Sequence, residues 1–191
     1  MQRRRASRKA EHLKTTIDPG SGQPGLARLF VALWPADALR RSLCDWRDPC
    51  RGGAGARLVA PEQLHLTLHF LGQVPHPRGP ELRSGLRVPF RHFELRFSRC
   101  ERWPGGVLVV PPDAVPAALA DLHGALGEAL RRLGLATETR AFRPHVTLAR
   151  RHSGPVPPAA AAALRWDVRG YVLVESGGRA GAGYAVIETY D

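Results

Sequence analysis

Two tetrapeptides 80 residues apart carry the residue types that chemistry at a phosphate asks for: His65-Leu66-Thr67-Leu68 and His145-Val146-Thr147-Leu148. In an extended chain residues i and i+2 share a face, so each copy aligns an imidazole with a hydroxyl and turns its apolar residues the other way. With eight His and seven Thr in the chain, His-x-Thr should arise by chance roughly 0.3 times. One copy has an ordinary explanation, a strand bearing a hydrogen-bonded histidine. Two copies, each followed by leucine, ask for a shared role. Histidine both takes and gives a proton near neutral pH. In-line displacement at phosphorus needs a base on the attacking side and an acid on the leaving side. Two imidazoles supply both, and the Thr hydroxyls can hold the non-bridging oxygens, with no carboxylate pair, metal cluster or P-loop lysine.

His65 and His69 are spaced i, i+4, which suggests zinc only on a helix of the H-E-x-x-H kind. No Glu lies between them, and the alternating leucines of "HLTLHF" read as strand, so no metal is expected. On strict alternation His65, Thr67 and His69 share a face opposite Leu64, Leu66, Leu68 and Phe70. His69 has no partner in the second copy, where Ala149 stands, and is read as a rim or substrate-contacting side chain.

The elements that must position these residues follow from the hydrophobic pattern. Residues 1–26 are charged and then rich in Gly, Pro and Ser, and read as a disordered basic tail. Residues 27–191 read as one domain. "RLFVALW" (28–34) is an apolar strand and "PADALRRSLCDWR" (35–47) a helix opened by Pro35. "RGGAGAR" lacks the strand-to-helix setting of a nucleotide cradle. The first motif lies on a strand stopped by Gly72. "FELRFSRCERW" and "GGVLVVPP" read as strands. Residues 113–134 make a helix with a stripe of Leu119, Leu122, Leu126, Leu130 and Leu133, capped by Asp113 and ended by Gly134. The second motif begins another strand. An Ala-rich helix (158–165) and strands "WDVRGYVLVES" and "GYAVIETY" close the chain. The pattern repeats strand, helix, strand in each half, which suits an α+β protein of two similar lobes.

Bulk properties agree with a soluble domain: 43% hydrophobic and 24% charged residues, with no run long enough to span a bilayer. No apolar stretch follows the basic N-terminus, so it does not read as a secretory signal. Three cysteines without C-x-x-C point to a reducing cytoplasm. The net charge of +11 places +5 in residues 1–14 and +6 in the rest, the balance of a polyanion-binding surface.

The segments "RLFVALWP", "PEQLHLTLHFLGQV", "FRPHVTLARR" and "LVES", with a Gly-rich turn and Tyr184 after it, resemble the two-histidine phosphoesterase superfamily in order and spacing. Within it they are similar to the RNA 2′,3′-cyclic phosphodiesterases, historically called 2′-5′ RNA ligases. The resemblance implies a bilobal α+β fold, each lobe an antiparallel sheet with outer helices and the motifs facing a central cleft. It also implies metal-independent, cofactor-free opening of an RNA-terminal 2′,3′-cyclic phosphate to a 2′-phosphomonoester by a monomer, with 2′-5′ joining as a possible reverse reaction. On that resemblance His65 is the general acid, His145 the base, and Thr67, Thr147 and Arg150 hold the phosphate. Strict alternation puts Arg150 on the face away from His145, so its role requires the strand to end or bend there. Two alternatives stand beside this reading: another cyclic or ADP-ribose-derived phosphoester as substrate, and a non-catalytic RNA-binding module. Only 7% of residues are aromatic, few for a single-strand-binding platform.

Overall fold

The computed structural model describes residues 25–52, 55–156, 163–177 and 183–191. Strand β1 (Leu26–Leu33) is followed by α1 (Asp37–Arg47), the short β2 (Arg57–Leu58) and a 3₁₀ turn over Pro61–Gln63. Next come β3 (Leu66–Pro75), α2 (Gly79–Gly85), β4 (Phe93–Phe97), β5 (Glu101–Trp103), β6 (Val107–Val110) and α3 (Ala117–Arg132). The chain closes with β7 (Val146–Arg150), β8 (Leu164–Val168), β9 (Tyr171–Ser176) and β10 (Tyr184–Tyr190).

The α+β class is as expected. Eight strands form one antiparallel sheet in the order β10-β9-β1-β3-β7-β6-β5, with β2 also on β7, and β4 and β8 form a second, two-stranded sheet. The halves of the large sheet meet between β3 and β7, which share a single register pair, Leu66 with Val146. Each motif therefore stands on one side of a joint, and past that joint the strands part to leave a cleft.

Alternation sorts the faces of β1. Leu29, Val31 and Leu33 enter the main core, whereas Phe30 and Ala32 join Val172 and Val174 in a smaller cluster on the opposite face. Helix α3 covers the main core with Leu119, Leu122, Leu126 and Leu130, all buried, each contributing about 2 kcal/mol. Its C-terminus is a Schellman turn: Gly134 N–H donates to Arg131 O and Leu135 N–H to Leu130 O, with Gly134 at φ 69°. Among the described residues no helix is long and apolar enough to cross a membrane.

Several local expectations change. Helix α3 begins at Ala117 behind Pro116. Asp113, too far upstream to cap it, instead accepts hydrogen bonds from Ser98 N (3.1 Å) and Ser98 Oγ (2.6 Å). Strand β1 starts two residues earlier than the apolar run suggests. "FELRFSRCERW" is two strands in different sheets, β4 paired with β8 and β5 with β6, because a bend at Ser98–Cys100 lets each strand find its own partner. Residues 1–24 of the expected tail, and 158–162 of the expected Ala-rich helix, lie outside the described residues. Leu164 and Arg165, the last two of that helix, are strand, held by pairing with Phe97 and Arg96.

Candidate active site

Each motif histidine sits one residue before its strand: His65 before β3 and His145 before β7. The antiparallel pair Leu66–Val146 sets the register, which places His65 across from Thr147 and Thr67 across from His145. The four side chains thus form a square with a local pseudo-twofold at its centre. All four line one cavity of about 710 Å³.

The two copies share local geometry as well as sequence. Nδ1 of His65 lies 2.6 Å from the carbonyl of Gln63, and Nδ1 of His145 lies 2.7 Å from that of Arg143. A carbonyl only accepts, so in each ring Nδ1–H donates, and Nε2 is left to serve the cleft. Nε2 of His65 is 3.1 Å from Thr67 Oγ1. Burial is the largest influence lowering the His65 pKa, to about 4; the Gln63 carbonyl opposes it, and the charges of His145 and Arg150 add to it. His145 is lowered too, first by burial, against the pull of the Arg143 carbonyl and with Arg150 and Arg143 repelling a proton. Both rings are therefore neutral in the empty cleft at pH 7.

A β-bulge in each motif resolves the problem of Arg150. On β3 the register passes from Ala32–Thr67 to Val31–His69, leaving Leu68 extra. On β7 it passes from Val109–Thr147 to Leu108–Ala149, leaving Leu148 extra. An extra residue exchanges the two faces beyond it. Arg150 accordingly joins Thr147 on the cleft wall, and Phe70 does the same in the first copy, half exposed.

The same exchange corrects the reading of His69. It is not a rim residue but a core one, 5% exposed, hydrogen-bonded through Nε2 to His123 O (2.8 Å) and stacked on the His123 ring. A satisfied core histidine needs no further role.

The structure adds neighbours that the motifs alone do not announce. His65 is enclosed by Phe30, Trp34 and Tyr184, with ring centroids 4.9, 5.7 and 5.3 Å away. The His145 ring lies 4.4 Å from Trp103, whose Nε1–H donates to Glu101 and whose face carries the Arg143 guanidinium at 4.2 Å. The signal for Phe30 and Trp34 is their alternation in "FVALW", which puts large rings on the face away from the main core. Trp103 and Arg143 leave no comparable signal, because their contact joins distant parts of the chain. Among the described residues no group of three or more His, Cys, Asp or Glu side chains is placed to hold a metal ion.

This geometry has relatives. The RNA 2′,3′-cyclic phosphodiesterase of Thermus thermophilus is 34% identical over 166 residues, 78% of this chain and 81% of that protein. The protein of the same name from Escherichia coli is 32% identical over 136 residues, 69% of this chain and 77% of that one. A crystal structure of E. coli LigT complexed with 3′-AMP superposes with a TM-score of 0.77 at 26% identity, covering 86% of this chain and 97% of the other. Residues 35–180 match the family model described as the 2′-5′ RNA ligase superfamily, and the chain belongs to that superfamily.

Proposed function

We propose that this chain hydrolyses the 2′,3′-cyclic phosphate at an RNA end to a 2′-phosphomonoester, without a metal, using His145 as base and His65 as acid. The observation that carries this reading is the square of two His–Thr pairs around one cavity, in a chain whose relatives are named for that activity. Nε2 of His145 takes a proton from water as the water oxygen bonds to phosphorus. The P–O3′ bond breaks on the opposite side, and Nε2 of His65 delivers its proton to O3′. Thr67 and Thr147 donate to the non-bridging oxygens, and the Arg150 guanidinium offsets the charge that builds on them.

Burial of His65 fits the acid role. An imidazolium that is costly to form is a strong donor to a departing alkoxide, and the anion in the cleft compensates for forming it. A 5′-hydroxyl in the place of water would lead to 2′-5′ joining by the same proton transfers. The protein acts as a cytoplasmic monomer on this reading, its catalytic domain spanning residues 27–191.

The test is formation of a terminal 2′-phosphomonoester on an oligonucleotide ending in 2′,3′-cyclic phosphate, in the presence of EDTA. Turnover should persist in EDTA and fall by about 10²–10⁴ in both His65→Ala and His145→Ala. Loss of activity with EDTA, or full activity in both variants, would refute the proposal. Parallel assay of ADP-ribose 1″,2″-cyclic phosphate separates the RNA end from the other cyclic phosphoesters.

A further inference from the structure

The cavity does not end at the His–Thr square. It continues along the cleft face of β1 and β3, where backbone register pairs Ala32 with Thr67, Phe30 with Phe70 and Arg28 with Gln73. On its other side Arg28 pairs with Ser176 of β9. Arg28, Gln73 and Ser176 all line this cavity. Ala32 and Arg28 are four steps apart along β1, about 13 Å at the usual rise. The wall between them is apolar, formed by Phe30 and the exposed rings of Phe70 and Tyr184.

Arg28 is exposed, and among the described residues it has no ion pair. Half of the other exposed arginines among the described residues do, among them Arg91 with Asp121 and Arg169 with Asp167. Among the described residues the cavity thus holds two unpaired guanidinium groups: Arg150 at the His–Thr square, and Arg28 at the far end of an apolar strip.

We propose that Arg28, with Gln73 and Ser176, forms a second anion subsite that takes the phosphodiester preceding the terminal nucleotide. This rests on the function proposed above and makes the protein a reader of polynucleotide ends. A mononucleoside cyclic phosphate carries one anionic group, which the His–Thr square already uses. Only a longer chain brings a second phosphate to Arg28 while its terminal nucleoside lies over the strip.

The experiment compares kcat/KM for a 2′,3′-cyclic mononucleotide, a trinucleotide ending in 2′,3′-cyclic phosphate, and the same trinucleotide with a neutral methylphosphonate before the terminal nucleotide. The wild-type protein should favour the charged trinucleotide. Arg28→Gln should lower the trinucleotide-to-mononucleotide ratio about fivefold through KM, and should reduce the slope of log KM against log salt by about 0.7, one phosphate contact on a single strand. The methylphosphonate should reproduce the Arg28→Gln loss in the unaltered protein. Equal turnover of the charged and neutral trinucleotides, or an Arg28→Gln ratio equal to that of wild type, would overturn the subsite while leaving the phosphodiesterase intact. Failure of the protein to turn over any of the three would overturn the function and the subsite together.

Discussion

The two cleft imidazoles set a definite pH signature. Because His65 and His145 sit close enough to repel each other's protons, they titrate as a pair with two macroscopic values. On the proposed mechanism the reactive form carries one proton on the pair. Its lower limit is set by His65, held near pH 4 mainly by burial. Its upper limit lies below the ordinary histidine value, because His145 is also lowered by burial. The cyclic diester keeps its single negative charge across this range, so kcat/KM reports the free protein alone. We therefore expect a bell with an acid limb near pH 4 and an alkaline limb below about 6.5, falling about tenfold per unit above it. Forming the His65 imidazolium in the empty cleft costs about 3 kcal/mol relative to an ordinary histidine. A bound anion offsets that cost, so both limbs of kcat should lie at higher pH than those of kcat/KM. Arg150→Gln removes a cation that opposes protonation of both rings, and should move both limbs of kcat/KM to higher pH even as the rate falls. Stopped assays on a cyclic-phosphate trinucleotide from pH 3.5 to 9 measure all of this. A kcat/KM plateau through pH 8, or an acid limb at pH 6 or above, would refute the reasoning.

Thr67→Val and Thr147→Val, equivalent about the pseudo-twofold, should each lower kcat/KM about tenfold for one lost hydrogen bond to the phosphate; a loss confined to one variant would break the equivalence. Burial lowers the pKa of His69, and that of His123 to about 4. The unfolded chain therefore binds more protons below the ordinary histidine value. Urea midpoints should fall as pH drops from about 6.5 toward 4, and His69→Leu should flatten that dependence. A Cβ on Gly170 would collide with the backbone carbonyl of Tyr190. Gly170→Ala should destabilise the fold by about 2 kcal/mol or more in urea denaturation, and activity should follow the folded fraction.

The residues of the His–Thr square were legible from their own pattern, because a strand exposes i and i+2 together whatever surrounds it. Phe70, Arg150 and His69 were not placed by that rule. Each lies beyond a bulge at Leu68 or Leu148, and a bulge depends on the partner strand's register, which no local sequence encodes. Strict alternation put His69 on the cleft wall and Arg150 behind it; the bulges exchange them. Similarly, the leucine stripe located α3 but not its first turn, where Pro116 rather than Asp113 marks the boundary. The split of "FELRFSRCERW" into β4 and β5 was hidden for the same reason as the bulges: its two halves have partners far away in the chain.

The local pseudo-twofold of the two motifs has one more consequence. Two imidazole–hydroxyl pairs related by a local rotation have no inherent sense of which gives a proton and which receives one. The surroundings break the tie: Phe30, Trp34 and Tyr184 close over His65, whereas His145 lies beside Trp103. On the proposed mechanism the direction of the reaction is therefore set by what surrounds two chemically equal pairs. A frame of this kind can be turned around by exchanging neighbours, with the acid–base residues themselves left in place.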